Sequence, residues 1–432
     1  MDTSGFLAAD FPHPCAAELR VRAAEPEAAR APRSRPPVHD RRDRDPRLGR
    51  SRLRHRLLAG DPVARPGRPR HVLVGAEATP GLDASPDGNG NCDQIGPGYP
   101  PGSAETGHWN AFPIAANSIY TTTADTGVNV TAAAIYDYLH TLGDSNTLIQ
   151  LNHPYFKTSA ANIGWMDKRG FDPNVPIPAT WPGSDTPTNA FMRHPSVVPG
   201  SATQGLDFDV LEMWAGGAVA QGRSTRAAWF SLLDQGFLKV ATANGDAHNA
   251  QRSAGYPRSM VYLGTDNPTA VTPNQIASAV RAGRVIGTTG PIPNLTVNGT
   301  GMGGLVPDTD GTVDVAINVQ AAPWIPVQEV RVIVNGSVAQ TIALSAQAPE
   351  PSVRYANTLP ITITKDSWIL VEAGDPLPAD PNAEPPVPYE YSRVTAGAPF
   401  SAGSTAGFTP LSFTNPVFVD FDGNGHFDAP GL

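Results

Sequence analysis

The chain has 432 residues with 42 glycines, 45 prolines and 16% charged residues, a length that suggests two or three domains and a turn-rich composition closer to α/β or β architecture than to a helical bundle. A net charge of −9 gives no general reason to expect nucleic acid or an anionic membrane as partner, and no apolar run approaches the roughly 18 residues of a membrane helix. Cys15 and Cys92 are the only cysteines, which excludes a multi-disulfide scaffold and any cysteine-rich zinc module.

Met1–Asp10 has no basic region followed by an apolar one, so the sequence as written carries no secretory signal; localisation and oligomeric state stay open. Between Phe11 and Arg70 stand sixteen Arg, no Lys and seven acidic residues, a net +9 that leaves −18 for the rest of the chain. This Arg- and Pro-rich stretch, with RRDRDPRLGRSRLRHR at its centre, has almost no periodic apolar pattern and presents no face to bury. At His71 the character changes. HVLVGAEAT is a short β-rich run, and GHWNAFPI is another after a Gly/Asn/Pro loop at 80–106.

The spacing over Val130–Leu142 predicts a helix with Ala134, Ile135, Tyr138 and Leu139 on one face, followed by the strand LIQLNHP. DFDVLEMW then reads as a strand, TRAAWFSLLDQG as a helix ended by Gly236, FLKVATANGDAH as a strand and its loop, QIASAVRAG as a helix and VIGTTG as a strand. Strands alternating with helices predict a parallel sheet or barrel, with functional groups gathered at the carboxyl ends of its strands. After Pro293 the period becomes 2 (LTVNG, VDVAINVQ, VQEVRVIVNG, ITITK, SWILVEAG, PVFVDFDG), which predicts an all-β sandwich with Trp324 and Trp368 in its core and a long loop from Asp375 to Pro388.

Five polar residues fall where strands end: Glu77, His108, His153, Asp246 and His248. Imidazole and carboxylate ligands in this mixture suit zinc, manganese or iron, and several together can hold ions that generate hydroxide near neutral pH. Glu212, in LEMWAGG, is expected to support that site rather than to bind metal directly. His140 and His194 fit no such motif and read as ordinary surface or helix residues. Near the other end DFDGNGHFD places Asp420, Asp422, Asn424 and Asp428 around two glycines. Such an oxygen-rich loop can wrap calcium, although it lacks the acidic residue that would complete an EF-hand, and an Asp/Gly-rich turn is the simpler reading.

The order Gly-x-Glu, Gly-His, Asn-His-Pro and Gly-Asp-x-His, together with LEMWAGG and AGRVIGTTGP followed by LTVNG, resembles the PHP (polymerase and histidinol phosphatase) family, and more closely its carbaryl-hydrolase-like branch. The resemblance spans residues 72–300. It implies a metal-dependent hydrolase in which Glu77, His108, His153, Asp246 and His248 are metal ligands, acting on a small-molecule phosphoester, ester, carbamate or amide. It also implies a distorted (β/α)7 barrel over 72–293, incomplete at its N-terminus, followed by the sandwich over 294–432.

The departure lies in residues 1–71, which lack the His-x-His and Thr-Asp-His motifs that open the family. Permitted codons for Phe11–Arg20, read one base over, spell Ser-His-Thr-His-Ala-Pro-Pro-Ser-Phe, close to the missing opening. A frameshifted stretch with compensation near Arg70 or His71 therefore accounts for the Arg excess, the absent motifs and the abrupt return of pattern; the alternative reading of the segment is a disordered basic arm. The competing functional reading is a non-catalytic surface or binding protein in which the barrel is a remnant and the sandwich does the work.

Overall fold

The computed structural model describes residues 107–114, 131–155, 164–215, 222–245, 255, 257–265, 267–345, 351–376 and 410–432, with the backbone alone of four short strands nearer the start and of 219–221. Those early strands are β1 (Phe6–Ala9), β2 (Ala17–Glu18), β3 (Arg22–Ala23) and β4 (Val74–Ala78). The expectation of an unpacked 12–70 segment otherwise concerns residues outside the described set, as does most of the expected loop from Asp375 to Pro388.

Next come β5 (His108–Phe112), α1 (Ala132–Thr141), β6 (Leu148–Asn152), α2 (Trp165–Arg169) and β7 (Val210–Ala215). They are followed by α3 (Val219–Asp234), β8 (Val240–Asn244), β9 (Arg258–Tyr262), α4 (Pro273–Arg281) and β10 (Val285–Thr288). The period-2 region supplies β11 (Ile292–Val297), β12 (Thr300–Gly301), β13 (Leu305–Pro307), β14 (Thr312–Gln320) and β15 (Glu329–Val334). It ends with β16 (Ser337–Ala343), β17 (Val353–Thr362), β18 (Ser367–Gly374), β19 (Leu411–Thr414) and β20 (Val417–Asp420). The architecture is mixed α/β with sandwich-like sheets. None of the helices among the described residues is long and apolar enough to cross a membrane.

One six-stranded sheet runs β2-β4-β5-β6-β7-β8. The expected all-parallel course fails at β5, which is antiparallel to both β4 and β6, whereas β6, β7 and β8 are parallel. The cause lies in the connection. Thr147 Oγ1 donates to Pro113 O at 2.7 Å and accepts from Asp144 N at 3.0 Å, so the segment carrying α1 returns to the end of the sheet from which it left. Phe112 therefore lies opposite Leu148. Alternation of strand and helix signals cannot distinguish this return from a crossover.

Helix α1 starts at Thr131, whose hydroxyl accepts from Ala134 N at 3.1 Å. It buries Tyr136 completely, with Tyr138 only partly covered, a correction to the predicted face that follows from the Tyr136 hydroxyl donating to Gly205 O at 3.1 Å. Helix α4 begins in a capping box between Thr272 and Gln275 with Pro273 in its first turn. Its Ile276 and Val280 cover an apolar layer contributed by Phe112, Leu148, Val210, Val240, Val261 and Val285.

In the sandwich, Val313, Val315, Ile317 and Val319 of β14 alternate with outward residues and share a core with Val330, Val332, Ile369, Val371, Val417 and Val419. All eight residues of β18 are buried, because its other face meets α3: Trp368 packs on Phe230 with ring centroids 4.9 Å apart and donates to Asp234 Oδ1 at 2.8 Å. Trp324, predicted in the core, is 50% exposed instead. It sits in a Pro-flanked connection after β14, where period-2 burial no longer applies.

The β-rich region is not set apart from the α/β region. β19 pairs with both β10 and β18, so one ten-stranded sheet runs across the expected boundary at 293/294. β8 ends its own sheet and β10 belongs to the other. Asn415 joins them: its Oδ1 accepts from Ala241 N at 2.8 Å, and its Nδ2 donates to Ala241 O at 2.9 Å and Val285 O at 2.8 Å. Ser259 Oγ makes a similar join, accepting from Ala243 N and donating to Ala243 O, both at 3.0 Å.

A second tie links α3 to the sandwich through the buried Glu372. Arg226 Nη2 reaches its Oε2 at 3.1 Å and Arg331 Nε reaches the same oxygen at 3.0 Å. Burial pushes the Glu372 carboxyl up, but the two guanidiniums and their hydrogen bonds outweigh it and hold the group below its ordinary 4.5.

Two outcomes are expected. Asn415→Ala strands the buried Ala241 N–H and C=O, and at ~1–3 kcal/mol for each unsatisfied group it should lower urea-unfolding stability by about 2–5 kcal/mol; a loss below ~1 kcal/mol would contradict the bridging role. Because the folded-state pKa of Glu372 is depressed, its ionisation contributes stability above about pH 4.5 that is lost as pH falls through the folded value. Glu372→Gln should therefore be less stable by about 3 kcal/mol at pH 7 and flatter than wild type on acidification. Parallel curves for the two proteins between pH 6 and pH 3 would refute this linkage.

Candidate functional site

Because β5 runs antiparallel to β6, its first residue lies at the same end of the sheet as the last residues of β6, β7 and β8. His108 is directly opposite Asn152, and the His108 and His153 rings meet edge to face with centroids 4.8 Å apart. Gly107 precedes them at φ 73°, and a Cβ there would lie 2.6 Å from Trp165 Cβ. The Gly-His pairing thus has a local cause: the chain must turn through a left-handed conformation against α2 to present His108.

His153 is 4% exposed and has a φ of 27°, a left-handed backbone that a residue with a Cβ adopts at a cost. Its N–H donates to Glu212 Oε2 at 2.6 Å, while Glu212 Oε1 accepts from Asn244 Nδ2 at 2.8 Å. The Pro154 carbonyl that follows accepts from Met166 N at 3.0 Å and Asp167 N at 3.1 Å, so α2 is seated on the same turn. Tyr155, also in this turn, is pushed above its ordinary range by burial, reinforced by Asp167 and Asp172, and stays protonated at neutral pH.

Beneath the histidines lies a buried polar row. Gln150 donates to Asn152 Oδ1 at 2.9 Å and accepts from Thr242 Oγ1 at 3.0 Å. Asn110 lies opposite Gln150 in register. The amide oxygens of Asn110 and Asn244 are buried with no hydrogen-bond partner among the described residues. The end of the sheet thus presents imidazoles, a carboxylate and amides above the apolar layer under α4. A bulge between Glu212 and Trp214 breaks the alternation that would otherwise put both side chains on one face.

Of the predicted ligands, His108 and His153 are brought together, with Glu212 bonded to the His153 backbone. The backbone of Glu77 in β4 is in register with Asn110, while its side chain lies outside the described residues. Asp246 and His248 also lie outside them, immediately beyond β8. His140 is exposed on α1 and His194 packs on Trp181 at 4.4 Å between centroids. Asn110, Gln150 and Asn244 were not singled out from the sequence. The signal available was polar residues at alternating positions of strands whose other positions are apolar.

In the C-terminal loop the predicted oxygen set is rearranged. Asp420 turns to its own loop, accepting from Gly423 N at 2.8 Å, Asn424 N at 3.1 Å and Gly425 N at 2.8 Å. Burial pushes its carboxyl up, but these three donors outweigh that and hold it low. Asp366, from the turn before β18, takes a place beside Asp422 and Asp428, with oxygens of all three within 4.8 Å of one another. Asn424 Nδ2 already donates to Asp428 Oδ2 at 2.7 Å and to Asp422 Oδ2 at 3.2 Å.

Comparison with family models, with curated proteins and with solved structures finds no match to this chain.

The φ of His153 supplies a test of the site's backbone. Replacing it by Gly should leave the protein about 1 kcal/mol more stable than replacing it by Ala, since both remove the imidazole and only Gly adopts the left-handed turn freely. Equal unfolding midpoints for the two variants would show that the turn stores no such strain.

Proposed function

We propose that the chain is a metal-dependent hydrolase of the PHP type, acting on a phosphoester or on an ester, carbamate or amide. The observation that carries this reading is the pair of adjacent imidazoles, His108 and His153, at one end of the sheet. Asp246 and His248 follow β8 in the sequence, and Glu77 belongs to the strand paired with β5. What supports a distorted barrel is the join of β8 to β9 and β10 through Ser259 and Asn415, which brings the two sheets edge to edge.

The residues fit a divalent cation of the zinc, manganese or iron class. Two imidazoles lie within reach of one another, one of them fixed by a buried carboxylate acting on its backbone, and the donor set of His with Asp and Glu suits such ions. When bound, the cation supplies a hydroxide nucleophile near neutral pH and polarises the bond to be cleaved. The chain's own residues do the rest. His108 and His153 would hold the cation, and Glu212 and Asn244 keep the His153 turn in place. The missing His-x-His and Thr-Asp-His motifs remove three further imidazoles, so activity in this chain should fall well below that of the frame-corrected sequence.

The test is metal analysis joined to paired assays. His108→Ala and His153→Ala should reduce bound zinc or manganese, and His194→Ala should not. On an aryl ester or carbamate and a generic phosphodiester, the frame-corrected chain should turn over at least about 100-fold faster, because loss of ordered ligands around a nucleophilic hydroxide costs orders of magnitude. Equal metal content in the three variants and wild type would remove the basis for the assignment.

A further inference from the structure

The Glu212 carboxylate is 4% exposed and makes two hydrogen bonds that join three strands: from β7 it takes the His153 N–H just past β6 and the Asn244 amide at the end of β8. Both groups that face the carboxylate are donors as they stand. A backbone N–H can only donate, and the Asn244 group facing a carboxylate oxygen must be its NH2. A side chain with two acceptor atoms satisfies both as they stand, so the choice at 212 is set by its neighbours as well as by length. Of the two donors, one belongs to a residue strained at φ 27° and the other lies two residues before Asp246.

We infer that Glu212 and Asn244 form a positioning pair, in which the carboxylate holds the His153 turn and, through the Asn244 amide, ties it to the end of β8, so that His153 keeps its spacing to His108. This rests on the metal-site reading above. Neither residue need touch the ion. The pair acts as a brace across β7, so its effect should follow the hydrogen-bond polarity at 212 and 244 and not the mere presence of a carboxylate at 212.

That polarity can be transposed. In Glu212→Gln the new carbonyl oxygen keeps the His153 N–H, and the new NH2 is met by the Asn244 amide turned over to present its Oδ1, which in the wild type has no partner among the described residues, so both bonds persist. In Asn244→Asp two carboxylates confront each other at a contact of 2.8 Å in the wild type. In the double variant E212Q/N244D, the introduced glutamine accepts from the His153 N–H and donates to the introduced aspartate, and both bonds return with the charge moved by one strand. The measurement is zinc affinity of the full chain by competition with a chromophoric chelator, with circular dichroism to follow folding.

Asn244→Asp should bind zinc about 10- to 100-fold more weakly than wild type, the range usual for residues that orient metal ligands, whereas Glu212→Gln should stay within about threefold of it. The double variant should return to within about threefold, with a wild-type spectrum. If a single variant does not fold, the double variant still decides, since the transposed bonds should restore both fold and affinity. Wild-type affinity in Asn244→Asp, or a double variant that is unfolded or no tighter than Asn244→Asp, overturns the positioning pair while leaving the metal site standing. A wild-type chain that binds no zinc overturns the underlying reading instead.

Discussion

The edge of β8 and the edge of β10 face one another without pairing as neighbours in either sheet, and the side-chain amide of Asn415 supplies the hydrogen bonds that a strand would have supplied. A primary amide carries one donor face and one acceptor face in a plane, the same complement as a peptide group, so it can satisfy Ala241 N and O together. Without it, buried main-chain groups would have to be hydrated or the two sheets would have to separate. Asn415 follows β19, which is itself paired with β10 and β18. The C-terminal strands therefore close the α/β region as well as forming a sandwich, and neither part has a boundary free of the other.

Closure matters for the site because the polar row above the apolar layer is costly to bury. Gln150, Asn152, Thr242, Asn244 and Glu212 are all at most 4% exposed, and they are accommodated by hydrogen bonds along β6 (Gln150 to Asn152), from β6 to β8 (Gln150 to Thr242) and from β7 to β8 (Glu212 to Asn244). Such a network is stable only while the strands keep their register, since a shift of one residue would replace each polar side chain by an apolar one from the opposite face. The layer of Phe112, Leu148, Val210, Val240, Val261 and Val285 under α4 fixes that register from below. Rigidity at the base is what allows strain at the rim, where His153 adopts its left-handed turn.

Local pattern carried much of this into the sequence. The capping box of Thr272 and Gln275, the alternation of Val313, Val315, Ile317 and Val319, and the helix ended by Gly236 are each consequences of short-range chemistry, and their elements were legible. The direction of β5 was not, because it depends on Thr147 bonding Pro113 across 34 residues. Nor was the choice of Tyr136 over Tyr138 for burial, which a distant carbonyl at Gly205 decides. Trp324 looked like core from its neighbours in sequence and is half exposed. At the site, histidines at strand ends could be read individually. Their adjacency, and the brace of Glu212 and Asn244, depend on which strands lie side by side.

The antiparallel pairing of β4 with β5, which places Ala78 opposite Trp109, has a consequence for how such a protein can diversify. The connection between these strands, residues 79–107, leaves the sheet and re-enters it at the rim that carries His108. Its length is therefore free of the constraint that a crossover imposes, and lengthening a closed loop costs only about 0.6 kcal/mol for each doubling. Insertions or deletions there would change the length of chain between Ala78 and His108 while leaving the layers beneath unaltered. Variation could thus accumulate in a single contiguous segment, independently of the scaffold that holds His108 and His153.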